Sequence, residues 1–234
     1  MGDRGPSSAE TRDTWVVVPA YREAAVIRRT VADLRSHFPH VVVVDDGSPD
    51  ATGAEASAAG ADVVRHPVNL GQGASLQTGI DYALARGARY IATFDADGQH
   101  RVEDLLAMLG TLRREPLDIV LGSRFTGEAL GLPFSRRVVL KAAVLFTNLT
   151  TGLRLTDAHN GLRVMTAGAA RRIELQQDDM AHASEFVTQI GRLRLRFREM
   201  PVTILYSDYS MRKGQRLSNG FRILSDLLAG WLQR

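Results

Sequence analysis

The chain has 234 residues, of which 44% are hydrophobic and 24% are charged, a composition typical of one globular domain. It contains no cysteine, which excludes disulfides, thiol catalysis and zinc–thiolate sites. The net charge of +3 is unevenly distributed, because residues 1–123 carry 12 basic and 17 acidic side chains whereas residues 124–234 carry 17 basic and 9 acidic ones. The basic second half predicts an anionic partner, which could be a phosphate, an acidic lipid or nucleic acid, although solvated helix faces account for most of the single arginines.

The first half alternates apolar strands with amphipathic helices. The predicted strands are Thr14–Pro19, His40–Asp45, Asp62–Arg65, Arg89–Phe94 and Asp118–Leu121. The predicted helices are Glu23–His37, Ala51–Ala59, Gly73–Ala85 and Val102–Arg113. Continuous valine runs such as residues 41–44 are typical of central parallel strands covered on both faces. This order predicts an α/β fold with a doubly wound, mostly parallel sheet.

The second half is less regular. Residues 124–133 are rich in glycine and are predicted to form a loop. Further predicted elements are helices at Ser135–Thr151, Gly168–Ile173 and Ser184–Leu193 and strands at Leu162–Met165 and Phe197–Leu205. Residues Asn219–Gln233 are predicted to form an amphipathic helix, which is compatible with packing on its own domain, binding a partner or lying on a membrane.

The ends of the chain and its hydropathy bear on its organisation. Residues 1–13 are polar, and we expect them to form a disordered leader before a single domain over residues 14–234. No apolar run approaches the roughly 20 residues that a membrane-spanning helix needs. We therefore expect a cytoplasmic protein, either free or peripheral on the inner face of a membrane.

Acidic side chains occur where predicted strands end. Asp45 and Asp46 end the second strand, and Asp95-Ala96-Asp97 follows the fourth, with Gln99 two residues later. Ligands of parallel α/β sheets bind at this edge. Clustered carboxylates repel each other unless a cation compensates, and Mg²⁺ or Mn²⁺ prefers oxygen ligands. We therefore predict a metal site at Asp95, Asp97 and Gln99; taken alone, the acids could equally shape a turn and cap the next helix.

The usual nucleotide-binding fingerprints are missing. No G-x-G-x-x-G follows the first predicted strand, and the chain contains no G-x-x-x-x-G-K-[ST]. This disfavours nicotinamide-dependent redox chemistry and P-loop hydrolysis. The glycine-rich stretch at residues 69–73 is predicted to be a loop, in which Gln72 is a candidate nucleotide contact.

Five ordered motifs carry a resemblance to a known family: VVVPAYREAAVI, VVVVDDGSPDAT, HPVNLGQGASLQTGIDYAL, YIATFDADGQH and DIVLGSRF. They cover about residues 14–126 and resemble the GT-A-fold family 2 glycosyltransferases. LPFSRRVVLKAAVLF, TDAHNGLRVMT and EMPVTILYSDYSMRKGQ are similar to the dolichyl-phosphate mannosyltransferase and polyprenyl-phosphate glycosyltransferase branch. The resemblance implies a GT-A (Rossmann-like) fold, with a nucleotide-sugar half over residues 14–126 and a C-terminal acceptor-side extension over residues 127–234.

The resemblance also implies roles for single residues. The nucleotide-sugar contacts would be Pro19, Tyr21, Glu23, Asp46, Gln72, Asp95, Ala96 and Asp97, with Asp46 on the base or ribose. The catalytic residues would be Asp157, His159 and Arg124, with Arg124 meeting a phosphate. The acceptor phosphate would be bound by Arg136, Arg137, Arg212 and Lys213. His159, Asn160 and Leu162 depart from the family's motif, so the acceptor half matches less closely than the donor half.

The sequence thus predicts a metal-dependent, inverting transfer of a hexose from a nucleotide diphospho-sugar to a polyprenyl phosphate. The alternative is a saccharide hydroxyl acceptor, which needs a base such as Asp157 or His159; His159 could equally serve only to hydrogen-bond within its loop. The retained acids disfavour a catalytically silent scaffold. We expect no nucleic-acid partner, because Phe197 is the only aromatic residue among the arginines of residues 192–198. A membrane-protein partner, a membrane surface and a homo-oligomer are all compatible with the sequence.

Overall fold

The computed structural model describes residues 11–130, 134–177 and 181–206. Within these ranges the strands are β1 Thr14–Ala20, β2 His40–Asp45, β3 Asp62–Arg65, β4 Tyr90–Thr93, β5 Ile119–Leu130, β6 Arg163–Thr166 and β7 Phe197–Leu205. The helices are α1 Ile27–Arg35, α2 Thr52–Ala58, α3 Gln72–Ala85, α4 Val102–Arg114, α5 Phe134–Thr151, α6 Ala167–Ala170 and α7 Ala181–Arg192. The predicted βαβα order of the first half is therefore confirmed, with most element bounds shifted by a few residues.

The strands form one seven-stranded sheet in the order β3-β2-β1-β4-β6-β5-β7. Strand β6 runs antiparallel to both of its neighbours, and the remaining pairs are parallel. Arg163, the first residue of β6, pairs with Thr93 at the carboxyl end of β4. The reversed strand therefore brings the loop that precedes β6 to the sheet edge where the parallel strands end.

Alternating side chains of β1 show why this strand is apolar throughout. Val16 and Val18 pack in the cluster that includes α1 and α4, whereas Trp15 and Val17 pack in the cluster that includes α3 and α7. All four are buried, because helices cover both faces of the sheet. Burial of such side chains contributes on the order of 1.5–3 kcal/mol each to folding.

The prediction of a loop over residues 124–133 was wrong for most of that range. Strand β5 continues to Leu130 and pairs with β7, with a register shift between Ser123 and Glu128. A Cβ atom at Gly127 would lie 2.3 Å from the carbonyl oxygen of Val202, so glycine allows the two strands to approach here. Glycine in this stretch serves close strand packing rather than an open loop.

The boundary predicted for the leader also needs correction. Thr11 is buried and donates a hydrogen bond from Oγ1 to the carbonyl of His37 (2.7 Å), while Asp13 ion-pairs with Arg89 and Arg113. Residues 11–13 thus belong to the folded domain, and residues 1–10 lie outside the described residues. The predicted C-terminal helix Asn219–Gln233 also lies outside them.

Candidate active site

The acid turn lies directly after β4. Asp95 Oδ2 lies 2.9 Å from Nε2 of His100, and Gln72 donates from Nε2 to Asp95 Oδ1 (3.4 Å). Asp97 accepts hydrogen bonds from the backbone N–H (3.1 Å) and from Nε2 (2.8 Å) of Gln99. Since its amide nitrogen is engaged with Asp97, the amide oxygen of Gln99 is the atom left to accept or ligate. The structure therefore brings together Gln72, Asp95, Asp97 and Gln99.

The two carboxylates perturb each other. Burial and the negative charge of Asp95 raise the pKa of Asp97 to about 6. Burial alone would also raise the pKa of Asp95, but the hydrogen bond to His100 and the charges of His100 and Arg163 hold it below its usual range. The carboxylates of Asp95 and Asp97 therefore repel each other, and a cation bound nearby would reduce this repulsion.

The donor set agrees with a hard cation that takes part of its coordination from a ligand. In the described ranges, no group of three or more His, Cys, Asp or Glu side chains could enclose a metal ion on its own. Two carboxylates and an amide oxygen are what Mg²⁺ or Mn²⁺ uses when phosphate oxygens complete the shell.

The P-x-Y-x-E stretch turns from β1 towards this site. Pro19 is buried inside β1, whereas Tyr21 is exposed with the Arg22 guanidinium 5.2 Å from its ring centroid. Glu23 is buried, its backbone N–H donates to Oγ1 of Thr52 (2.8 Å), and its charge contributes to the raised pKa of Asp97. Tyr21 is therefore available to a ligand, and Glu23 lies in the electrostatic field of the acid turn.

Asp46 lies beside the loop that leads into α3. Its side chain is buried and accepts hydrogen bonds from the backbone N–H groups of Leu70 (2.9 Å) and Gly71 (2.8 Å). Its Oδ1 also lies 2.8 Å from Nδ1 of His66, whose Nε2 is 3.0 Å from Oγ1 of Thr78. Its carboxylate therefore holds the loop that leads into α3, and contact of Asp46 with a base or ribose stays a prediction.

Ala96 was also predicted as a nucleotide-sugar contact. Its side chain is buried in the core beside α1, and its carbonyl accepts a hydrogen bond from Oγ1 of Thr30 (3.1 Å). We therefore assign Ala96 a structural role, in which it anchors the acid turn to helix α1.

Arg124, Asp157 and His159, the three predicted catalytic residues, lie close together. Arg124 donates from Nε to Asp157 Oδ2 (2.7 Å), from Nη2 to the carbonyl of His159 (3.0 Å) and from Nη1 to the hydroxyl of Tyr206 (3.1 Å). Burial alone would lower the pKa of Arg124, but the charge of Asp157 raises it. The side chain of Asp157 is 1% exposed, so this ion pair is internal and braces the loop.

Glu199 of β7 fixes the same loop from the other side. Its carboxylate accepts hydrogen bonds from the backbone N–H groups of Thr156 (2.8 and 3.0 Å) and Asp157 (2.9 Å). Glu199 did not stand out in the sequence, because an acid in a strand carries no signal of the loop that it will cap.

His159 has an unusual environment. Burial lowers its pKa to about 4, so the imidazole is neutral near pH 7. Neither ring nitrogen has a hydrogen-bond partner within the described part of the chain. The interpretation of His159 as a residue whose ring hydrogen-bonds within the loop is therefore not supported, and a depressed pKa makes it a weak base.

Three further polar residues were missed by the sequence analysis. His100 contacts Asp95, and the charges of Arg163 and His182 both lower the pKa of Asp95. All three residues have largely buried side chains. His100 could have been found from its position in the FDADGQH motif. Arg163 and His182 are distant in sequence from the acids, and only the antiparallel insertion of β6 and the packing of α7 bring them close.

Only some of the residues predicted to bind an acceptor phosphate lie in the described part of the chain. Arg137 lies exposed on α5, and Arg136 lies on the same helix, although its side chain is not among those described. Arg212 and Lys213 lie outside the described residues, so their predicted roles stay predictions. Over the described ranges, none of the helices combines the length and the apolar character that crossing a membrane requires.

Comparison with known proteins agrees with this geometry. The family model "Glycosyl transferase family 2" matches residues 15–173. An undecaprenyl-phosphate mannosyltransferase of Micrococcus luteus is 31% identical over 81% of this chain and 82% of its own length. A UDP-N-acetylglucosamine–dolichyl-phosphate N-acetylglucosaminyltransferase of Methanococcus voltae is 28% identical over 92% of this chain and 94% of its own length.

The fold has solved counterparts. Glucosyl-3-phosphoglycerate synthase of Mycobacterium tuberculosis, crystallised with Mn²⁺, UDP-glucose and phosphoglyceric acid, superposes with a TM-score of 0.71 at 17% identity, covering 95% of this chain and 79% of that one. This likeness confirms the predicted GT-A architecture, and the family match confirms the resemblance found in the sequence motifs. The chain belongs to glycosyl transferase family 2 and is a glycosyltransferase.

Proposed function

We propose that this protein transfers a hexose from a nucleotide diphospho-sugar, a GDP- or UDP-sugar, to a polyprenyl phosphate, with inversion at the anomeric carbon and with Mg²⁺ or Mn²⁺ as cofactor. The proposal rests on one observation, which is that acidic and basic side chains lie at the same edge of the sheet. Asp95 and Asp97 follow β4, and the cations Arg124 and Arg163 lie at the neighbouring β5 and β6. Acids suit a metal-bound diphosphate, and guanidinium groups suit a second phosphate.

The residues at the acid turn fit a divalent metal. Asp95 and Asp97 would supply carboxylate oxygens and Gln99 its amide oxygen, while Tyr21 and Gln72 are accessible to the nucleotide sugar. When bound, the ion would neutralise charge on the departing diphosphate and act as a Lewis acid. The Mn²⁺ in the glucosyl-3-phosphoglycerate synthase structure supports this choice.

A phosphate acceptor agrees better with the local chemistry than a hydroxyl does. A hydroxyl needs a base near its proton, but Asp157 is held by Arg124 and the pKa of His159 is lowered by burial to about 4. A phosphate is already anionic and needs cations that hold it beside the donor, a role we propose for Arg124, Arg136, Arg137, Arg212 and Lys213. The names of the Micrococcus and Methanococcus relatives support a polyprenyl-phosphate acceptor.

Helix α5 supports a position on a membrane surface. Val138, Leu145 and Leu149 are 51%, 61% and 77% exposed, and their spacing of seven and four residues puts them on one helix face. The helix carries Arg136, Arg137 and Lys141 and contains no acidic residue. An apolar stripe with flanking cations is typical of helices that lie on anionic membranes. We therefore propose a peripheral enzyme on the cytoplasmic face.

Vesicle sedimentation tests this part of the proposal. The paired change Leu145→Ser with Leu149→Ser should reduce binding to vesicles that contain anionic lipid, and neutral vesicles should bind the wild type less. Val68→Ser is the control, because Val68 is 59% exposed in the connection between β3 and α3 and does not belong to α5. Equal sedimentation of all three proteins would contradict a membrane role for α5.

One assay tests the reaction itself. The protein is incubated with Mg²⁺ or Mn²⁺, a panel of labelled UDP- and GDP-sugars and a polyprenyl phosphate, and the mixture is extracted into organic solvent. Label in the organic phase that depends on the metal and on the lipid phosphate is the expected result. Label found only in a water-soluble saccharide would favour the hydroxyl acceptor, and failure to bind any sugar nucleotide, with or without metal, would contradict both.

A further inference from the structure

Within the described part of the chain, Arg163 is a buried cation without the carboxylate partner that a buried cation normally has. Its side chain is among the buried ones (3% exposed), and the guanidinium lies 4.2 Å from the ring centroid of Phe186. Its Nε donates to the carbonyl of Asn160 (3.1 Å), yet in the described ranges no carboxylate lies within ion-pair distance of it. A buried charge is normally paired or bound to a ligand, because its desolvation is otherwise uncompensated.

The loop before Arg163 contains further buried polar atoms that have no hydrogen-bond partner among the described residues. The Nδ2 atom of Asn160 and both ring nitrogens of His159 are closed off from solvent and have no hydrogen-bond partner among the described residues. The other amide atom of Asn160, Oδ1, accepts from the backbone N–H of Leu162 (2.9 Å), so the orientation of its side chain is set. Buried donors without acceptors are rare in native proteins and call for a specific explanation.

The loop cannot easily shift to satisfy these atoms from within the protein. The ion pair of Asp157 with Arg124 and the capping by Glu199 hold its start. Its end is held by Thr93, which donates from Oγ1 to the carbonyl of Gly161 (2.6 Å). A shift of the loop would break these contacts. Gly161 also packs directly against the Asp95 carboxylate, so the unpaired donors belong to the loop that adjoins the acid turn.

The chemistry of the donors defines the ligand that they would bind. Arg163 supplies a cation with a planar set of N–H groups, Asn160 supplies amide N–H groups, and the neutral ring of His159 supplies one N–H. A ligand with several anionic acceptor oxygens satisfies all of them, and a phosphoryl group is such a ligand.

We propose that Arg163, Asn160 and His159 form a phosphate-binding subsite at the start of β6. The inference rests on the proposed function, which brings two phosphate-bearing substrates to this edge of the sheet. The phosphoryl oxygens could belong to the diphosphate of the donor or to the phosphate of the acceptor, and the experiment separates the two sources.

Two isosteric or near-isosteric variants test the subsite. Arg163→Met removes the cation and keeps an apolar chain against Phe186, and Asn160→Asp keeps the acceptor for Leu162 while it replaces the N–H donors by an anion. Arg163→Lys is the rescue variant, because it retains the charge. Arg171→Met is the control, because Arg171 is exposed on the far side of β6 at the end of α6.

Binding is measured by calorimetry with two probes in the presence of Mg²⁺. The first probe is UDP or GDP, whichever the wild type binds. The second is a short-chain prenyl phosphate, compared with the prenyl alcohol of the same length. Thermal unfolding of each variant is recorded in parallel so that loss of fold is distinguished from loss of a contact.

A decrease of at least tenfold in affinity for the nucleoside diphosphate in Arg163→Met and Asn160→Asp, with partial recovery in Arg163→Lys, assigns the subsite to the donor. The same decrease for the prenyl phosphate, but not for the alcohol, assigns it to the acceptor. Unchanged affinity for both probes in folded variants, or an equal loss for phosphate and alcohol, overturns the inference. If the wild type binds no nucleoside diphosphate at all, the proposed function fails first, and the inference falls with it.

Discussion

Gly161 lies so close to Asp95 that a Cβ atom on residue 161 would stand 2.3 Å from Oδ2 and 2.4 Å from Oδ1 of the carboxylate. The loop that precedes β6 therefore packs its backbone directly against the side chain that we propose to bind the metal. This contact joins the acid turn after β4 to the loop that precedes β6.

Gly161→Ala should displace the Asp95 carboxylate. Because a misplacement of about 1 Å at a reacting group can cost about 100-fold, we expect a loss of that order in transferase activity. Overpacking should also lower the free energy of unfolding by about 1–3 kcal/mol. Activity assays and chemical denaturation measure the two effects. Gly168→Ala is the control, because a Cβ there meets nothing closer than Thr166 Oγ1 at 3.8 Å, and full activity of Gly161→Ala would contradict the role of this contact.

The raised pKa of Asp97 makes a prediction about pH. A carboxyl whose pKa is higher in the folded protein stabilises the fold fully below its unfolded pKa near 3.8, and that stabilisation is lost as the pH rises through about 6. In metal-free protein, Asp97→Asn should therefore raise the free energy of unfolding at pH 7.5 relative to wild type, by up to about 3 kcal/mol, since one pKa unit corresponds to about 1.4 kcal/mol. The difference in the free energy of unfolding between the variant and the wild type should be smaller at pH 4.5.

Denaturant titrations at the two pH values, with EDTA present, measure this effect. The same variant should lose metal-dependent activity while it remains folded. A variant that is less stable than wild type at pH 7.5 would show that Asp97 is stabilised by its hydrogen bonds from Gln99 more than it is destabilised by Asp95.

The internal ion pair of Arg124 and Asp157 should behave non-additively. Removing one partner leaves the other charge buried, so Arg124→Met and Asp157→Asn should each destabilise the fold by about 3–5 kcal/mol. The double variant should cost clearly less than the sum of the two, because neither charge is left unpaired. Urea denaturation of the four proteins measures the cycle. Additive losses would mean that the two side chains do not depend on each other in solution.

The carboxylate of Asp46 should stabilise the loop that precedes α3. Asp46→Asn replaces one of the two carboxylate oxygens that accept from the N–H groups of Leu70 and Gly71 by an NH₂ donor, so we expect the free energy of unfolding to fall by about 1–3 kcal/mol. The backbone N–H groups of residues 69–71 should exchange faster with solvent, and the KM for the nucleotide sugar should rise because Gln72 follows this loop.

Asp81→Asn is the matched control for Asp46→Asn. Asp81 lies exposed on α3 and, among the described residues, accepts only a surface hydrogen bond from Gln77 (2.9 Å), so its loss should cost less than about 0.5 kcal/mol. Equal stability of the two variants, with unchanged hydrogen exchange at residues 69–71, would contradict a clamping role for Asp46.

The sequence was sufficient to predict the α/β order of the first half and the acid turn after β4. Valine runs, helical periodicity and the acids after the strands depend on local order along the chain, so the βαβα order and the grouping of Asp95, Asp97 and Gln99 could be predicted from it. The same local signals failed for residues 124–130, where glycine indicates a loop in isolation but permits close strand pairing in the folded sheet.

Only the tertiary structure shows that a basic side chain, Arg163, lies at the same sheet edge as the acids. The sequence predicted an extended segment at residues 162–165 but not its direction, and the antiparallel insertion of β6 between β4 and β5 is what brings Arg163 to the edge where Asp95 lies. Likewise, the sequence around Asp46 does not indicate that its carboxylate accepts hydrogen bonds from the backbone of residues 70 and 71. Strand direction and hydrogen-bond pairing depend on contacts between residues far apart in the chain, and those contacts exist only once the chain has folded.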